Sequence, residues 1–228
     1  MSTPAPEEPE SDPLDQRAND ERQEPDRASS PDREATETVH LRVYRYDPEV
    51  EDKRQPRYDD FHVPRVEGMT VLDALIRARD EFDPSLTFRH SCRQAVCGSD
   101  AFFVNGRQQL GCKTQIHDLE EPVRIEPLPH SEVIKDLVVD MEHFYDQMAA
   151  VKPYFQPDDE PPDELEEYRQ SRENREKIKL STRCIWCGAC MSSCNIAAGD
   201  NKYLGPAALN TAYRFAMDER EGEERKQE

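Results

Sequence analysis

The run Cys184-Ile-Trp-Cys187-Gly-Ala-Cys190-Met-Ser-Ser-Cys194 places four thiols at C-x2-C-x2-C-x3-C spacing. Three thiolates this close in sequence can wrap an iron-sulfur cubane, and in two-cluster ferredoxins the fourth cysteine of such a run reaches a different cluster. Gly188 and Ala189 leave the backbone room to curl around sulfide. Structural zinc is the competing chemistry, but its ligands usually come as two separated C-x2-C pairs that close one tetrahedron. The spacing favours iron and sulfide.

A second set lies upstream in Cys92-Arg-Gln-Ala-Val-Cys97-Gly-Ser-Asp100, with Cys112 further on. The plant-type two-iron loop is C-x4-C-x2-C followed by a distant fourth cysteine. Here the first, second and fourth positions are cysteine and the third is Asp100. A carboxylate oxygen binds iron, so Asp100 can complete the set; its alternative is a surface loop acid. With the other three positions in register, ligation is the expectation. Gly98 suits a loop whose backbone amides must turn toward sulfur.

The flanking patterns supply a scaffold for these loops. Val39, Leu41 and Val43 alternate with His40, Arg42 and Tyr44, which predicts a half-buried strand, and a second strand follows near Tyr58–Val63. Thr70-x-x-Asp73 resembles a capping box that opens a helix, with Val71, Leu72, Leu75, Ile76 and Phe82 on one face. After the first cysteine loop, Ala101–Val104 and Gln109–Cys112 read as a hairpin around Asn105-Gly106, and Val123–Glu126 as a further strand. The result is a small mixed sheet packed on one helix. Val133, Leu137, Val138, Met141, Phe144, Tyr145 and Met148 have helical spacing, which predicts a helix over 133–148 with these side chains in a core. Residues 153–177 are rich in proline and acid, then in mixed charge, and read as a linker that includes a solvated helix. Gly205-Pro206 starts a last helix carrying Ala207, Leu209, Ala212, Tyr213 and Ala216.

Composition narrows the function. The net charge is -19, from 30 Lys+Arg against 49 Asp+Glu, which opposes nucleic acid or an anionic membrane surface as the main partner. Residues 1–37 carry twelve acids and four bases with almost no large apolar side chains, and are expected to form a disordered acidic tail. Only eight of the 30 basic residues are lysine; an acidic, lysine-poor surface suits concentrated salt, where screening removes self-repulsion, so a halophile's cytoplasm is expected. Seven cysteines in two clusters do not read as a disulfide framework, and no apolar leader is seen, which implies a reducing compartment. No apolar run reaches the ~20 residues of a membrane span. No histidine sits at ligand spacing with a cysteine. Neither a dinucleotide fingerprint, a P-loop nor a nucleophile elbow is present, leaving electron transfer as the chemistry.

A plant-type two-iron loop followed by a bacterial-ferredoxin cysteine run resembles the iron-sulfur subunit of succinate dehydrogenase and fumarate reductase, over residues 38–218. Phe88-Arg-His-Ser-Cys92 through Asp100 is similar to the family's two-iron signature, including its variant with aspartate at the third position. Ser181-Thr-Arg-Cys184 through Cys190 resembles the four-iron signature, and Tyr203–Leu209 and Ala212–Phe215 match the stretch beyond it. The resemblance implies an α+β architecture: an N-terminal β-grasp two-iron ferredoxin-like domain, then an incomplete α-helical bacterial-ferredoxin-like domain. The expected divisions are the tail 1–37, the two-iron domain 38–130, a helix and charged linker 131–180, and the helical domain 181–228.

It further implies that Cys92, Cys97, Asp100 and Cys112 hold a 2Fe-2S cluster, that Cys184, Cys187 and Cys190 hold three corners of a 4Fe-4S cluster, and that Cys194 holds one corner of a 3Fe-4S cluster. Electrons would pass from the FAD of a flavoprotein partner, where succinate is oxidised, toward quinone at membrane anchor subunits. The subunit would lie peripherally on the inner, cytoplasmic face of the cell membrane. Two departures stand out. Asn195, Ala197, Ala198 and Gly199 replace the proline and aromatic residues that the family carries after the fourth cysteine, so quinone contact from this segment is not implied. Seven cysteines and Asp100 provide eight ligands, whereas the three clusters need about eleven. The expectation is a chain lacking the segment that would supply the rest, or one completed by another chain. The alternative functions are a soluble ferredoxin-like carrier, an iron-sulfur subunit of another flavin oxidoreductase, or a zinc-stabilised interaction protein.

Overall fold

The structure, a computed structural model, describes residues 37–158, 167–200 and 202–223. The expected tail therefore lies almost wholly outside the described residues, as does part of the expected linker. The described residues all belong to one compact unit.

Strand β1 (Thr38–Arg45) buries every second side chain, with Val39, Leu41 and Val43 fully inaccessible. It pairs antiparallel with β2 (Arg57–Pro64) in a register that sets Leu41 opposite Phe61. Burying an aliphatic side chain of this size is worth about 1.5–3 kcal/mol, so the alternation fixes which face of the ribbon turns inward. Helix α1 (Val71–Arg77) starts at a true capping box: Thr70 Oγ1 accepts from the Asp73 amide at 3.1 Å, and Asp73 Oδ2 accepts from the Thr70 amide at 3.0 Å. The helix then widens into a π-turn over Ala78–Phe82. The wider turn rotates Phe82 off the core face, so it is half exposed and forms a T-shaped ring pair with Phe61, contrary to the expectation that it shares the apolar face.

Strands β3 (Ala101–Val104) and β4 (Arg107–Leu110) form the expected hairpin, and β5 (Val123–Glu126) completes a five-stranded sheet of order β2-β1-β5-β3-β4. Asn105 and Gly106 have φ of 46° and 82°, the left-handed pair that a tight hairpin turn requires. The return strand stops at Leu110, and Cys112 falls in the turn after it rather than in the strand. The β1–β5 pairing is parallel and the others are antiparallel.

The helix expected over 133–148 is corrected in its first half. Residues Val133–Lys135 (β6) and Val138–Val139 (β7) form a small hairpin, and only Glu142–Ala150 (α2) is helical. Asp136, at φ 47°, turns the chain back on itself, which breaks a pattern that spacing alone cannot distinguish from a helix. Helix α3 (Arg172–Ile178) is charged, as expected, but it is anchored: Ile178 and Asn174 are buried, and Asn174 Nδ2 donates to the Met217 carbonyl at 2.7 Å. Short helices α4 (Ala189–Ser192) and α5 (Asn195–Gly199) precede α6 (Gly205–Ala216). Phe144 and Met148 of α2 pack against Ala207 and Ala208 of α6, whose small side chains allow the close approach.

Candidate iron-sulfur site

The first cysteine loop is held by helix α1 as much as by the sheet. The Val71 and Leu72 amides, which a helix start leaves without internal partners, donate to the Thr114 and Gly111 carbonyls at 2.9 and 3.0 Å. The turn that presents Cys112 is therefore clamped to the helix N-terminus. Arg93, Ala95 and Gly98 take left-handed φ of 56°, 55° and 70°. For the two non-glycine residues this costs of order 1–3 kcal/mol each, and the conformation aims amides at sulfur. The Gln94, Val96 and Cys97 amides donate to Cys92 Sγ at 3.4, 3.4 and 3.3 Å, and the Ala95 amide donates to Cys112 Sγ at 3.3 Å. Converging N–H dipoles of this kind stabilise negative charge on thiolate sulfur.

Ser99, which the sequence did not single out, hydrogen-bonds Cys97 Sγ at 3.0 Å. Its hydroxyl and amide pull the Cys97 thiol down to about 7. Burial, followed by the neighbouring Asp100 carboxyl, pushes the Cys112 thiol up to about 11. Asp100 is not a surface acid: it is 2% exposed, and its Oδ2 accepts from the Cys112 amide at 2.5 Å. Its Oδ1 is buried without a hydrogen-bond partner. A buried carboxylate oxygen with no donor costs free energy, and an iron ion at this position would offset that cost. The donor set Cys92, Cys97, Asp100 and Cys112 thus fits a two-iron cluster in its chemistry: three thiols and a buried carboxylate with one oxygen unpartnered.

The second cysteine run follows the same local logic. Trp186 and Gly188 take φ of 56° and 77°, curling the backbone between Cys184 and Cys190. The Met191 and Ser192 amides both donate to the Gly188 carbonyl at 3.0 Å, which starts α4 with Cys190 on it. Loss of solvent around the sulfur, and then the Cys187 and Cys184 thiols, raise Cys190 above its ordinary value. Those three thiols are therefore near neighbours, while Cys194 lies past α4 at the head of α5. Among the described residues no three His, Cys, Asp or Glu side chains converge on a single-ion position.

The two loops touch at Gly98. A Cβ there would lie 2.7 Å from Cys187 Cβ and 2.9 Å from the Ile185 carbonyl oxygen, so only glycine allows this approach. Gln108 Nε2 on β4 donates to the Ser192 carbonyl at 3.2 Å, tying the sheet to α4. Beside the contact lies a cavity of about 470 Å3 whose walls include Arg89, Cys97, Tyr145, Trp186 and Cys187. The role of Gly98 as a contact between loops carries no local sequence signal beyond the glycine itself.

Residues 40–146 match the family model described as a 2Fe-2S iron-sulfur cluster binding domain. The chain is 42% identical over 189 residues to the succinate dehydrogenase iron-sulfur subunit of Paracoccus denitrificans, covering 82% of this chain and 71% of that protein. The chain belongs to the succinate dehydrogenase iron-sulfur subunit family. Among solved structures, it superposes on a chain of the Mycobacterium smegmatis Sdh1 complex in the apo form, with a TM-score of 0.67 and 27% identity, covering 81% of this chain and 77% of that chain. The β-grasp sheet with a helical region behind it is the expected fold of this family. No described helix is long and apolar enough to cross a membrane.

Proposed function

We propose that in this succinate dehydrogenase iron-sulfur subunit Cys92, Cys97, Asp100 and Cys112 hold the 2Fe-2S cluster. On the same reading Cys184, Cys187 and Cys190 hold three corners of the 4Fe-4S cluster, and Cys194 one corner of the 3Fe-4S cluster. When bound, such clusters take up and release electrons one at a time. The chain's own residues supply the rest: amides of the 94–97 segment aim at sulfur, Ser99 engages Cys97, and the Gly98 contact holds the two loops together. That close approach of Gly98 to Cys187 carries the reading, because electron transfer between centres demands short separation. The working division is a two-iron half over 38–130 and a helical half over 181–228, joined by 131–180.

As the electron-transfer subunit of an oxidoreductase, the chain passes electrons from a flavoprotein that oxidises succinate toward quinone at membrane anchor subunits. Its place is peripheral, on the inner face of the membrane, held there through those partners. The test is anaerobic purification of the assembled complex with each proposed ligand replaced in turn. Cys92→Ser should abolish or reshape the two-iron signal while leaving the four-iron signal, and Cys187→Ser the reverse, both with loss of succinate-dependent quinone reduction. A Cys92→Ser complex with an unaltered two-iron spectrum refutes the assignment.

A further inference from the structure

Arg45 closes β1 and is 2% exposed. Its guanidinium donates to Asp136 Oδ1 at 3.1 Å, Asp59 Oδ2 at 3.2 Å, Asp83 Oδ2 at 2.6 Å and Ser85 Oγ at 2.8 Å. Asp136, 1% exposed, faces it from the turn between β6 and β7. Besides meeting Arg45, Asp136 Oδ1 accepts from the Tyr46 amide at 3.0 Å, and its Oδ2 accepts from the Thr87 amide at 2.9 Å. The Leu137 amide donates to the Thr87 carbonyl at 3.2 Å. Thr87 is thus gripped on both of its backbone polar groups. It lies just before the stretch Phe88-Arg-His-Ser that delivers Cys92.

The same short segment reaches the other loop. Met141, beyond β7, sets its Cε 2.9 Å from where a Cβ on Gly188 would stand. Leu137, Val139 and Met141 line the cavity that Cys97 and Cys187 also line. Residues 136–141 therefore touch the approach to one cysteine loop at one end and the curl of the other at the opposite end. Buried ion pairs of this kind are weak contributors to stability, since apolar replacements often do as well, so a network this extensive calls for a further role.

We propose that Arg45 and Asp136 are positioning residues for electron transfer, fixing through Thr87 and residues 136–141 the placement of the Cys92 loop relative to the Cys187 loop. The inference rests on the reading that Cys92, Cys97, Asp100 and Cys112 hold the two-iron cluster. Asp136→Asn is the discriminating variant. The amide keeps an oxygen for Tyr46 and Arg45 but sets a donor against the Thr87 N–H. Val63→Ala, a core change in β2 at a fully buried site, lowers stability without touching the network and serves as the control.

In the assembled complex, three quantities are measured: the thermal midpoint, the rate of iron loss from the two-iron site to a chelator, and the g-values and linewidth of its reduced signal. Asp136→Asn is expected to speed iron loss and to broaden or shift the signal. Val63→Ala is expected to lower the midpoint and leave both cluster readouts alone. Should Asp136→Asn not assemble, Arg45→Lys, which keeps the charge and loses the fork of donors, carries the same comparison. Variants that lower the midpoint with unchanged iron loss and unchanged signal would overturn the positioning role. A parent complex without any two-iron signal would instead overturn the ligand assignment on which it rests.

Discussion

Replacing Asp100 should have unequal consequences in the iron-free and iron-loaded chain. Without iron, the side chain contributes one charge-assisted hydrogen bond, Oδ2 accepting from the Cys112 amide at 2.5 Å, and pays for one buried oxygen that has no donor. Asp100→Ala leaves the Cys112 N–H without its partner, at a cost of about 1–3 kcal/mol. Asp100→Asn keeps a neutral acceptor and removes the buried charge, so the iron-free chain should stay within about 1 kcal/mol of the parent. With Oδ1 as the proposed fourth ligand, either substitution should weaken cluster retention by at least the 10–100-fold typical of losing an outer-sphere partner, about 1.4–2.7 kcal/mol. Asp100→Cys restores a thiolate and should retain the cluster with a shifted potential. Urea unfolding of the iron-free chain, paired with iron content and visible absorption after anaerobic reconstitution, separates the two states. Full iron content and an unchanged spectrum in Asp100→Ala would refute ligation. So would an Asp100→Asn chain that loses equal stability with and without iron.

Three further outcomes follow from the geometry. Gly98→Ala must hold φ of 70° and place a methyl 2.7 Å from Cys187 Cβ; it should cost at least about 1–3 kcal/mol in denaturant unfolding, and a neutral result would mean the loops do not meet there. Burial raises the Asp83 carboxyl, but hydrogen bonds from Arg45 and Ser85 outweigh it and hold the group well below the usual carboxylate range. Its contribution is therefore present above the unfolded value of about 3.9 and is lost as pH falls toward the folded value. Acid unfolding should steepen below about pH 4 in the parent and be flatter in Asp83→Asn; parallel titration curves would contradict this. Lastly, a fragment spanning 37–150 should reconstitute a two-iron absorption spectrum and resist protease. One ending at residue 130 loses Asp136, the partner of Arg45, Tyr46 and Thr87, and should be cleaved faster; equal protection would show the 136–141 segment to be dispensable.

Much of the scaffold was legible in local pattern. The period-two run at Val39–Val43, the Asn105-Gly106 turn and the Thr70–Asp73 cap each follow from interactions within a few residues, so a reading of neighbours suffices. The two differences between pattern and fold have separate causes. The apolar residues of the hairpin at Val133–Val139 also fit a 3.6 period and so predict a helix, whereas the turn at Asp136 is held by Tyr46 and Thr87, both far away in sequence. Phe82 leaves the apolar face that the spacing assigns it because a π-turn shifts phase without altering composition.

For the candidate site, the identities and spacing of Cys92, Cys97, Cys112 and of Cys184, Cys187 and Cys190 carry the proposed donor chemistry, because thiolates at these separations can reach a shared cluster through the short loops between them. Asp100 was a match in register alone until folding buried it and turned one oxygen away from every donor. The meeting of Gly98 with Cys187, the Ser99 hydroxyl on Cys97 and the grip of Asp136 on Thr87 belong to the tertiary structure. Close approach between segments far apart in the chain is set by how the sheet, α1 and the 136–141 segment pack together, and no local spacing encodes it.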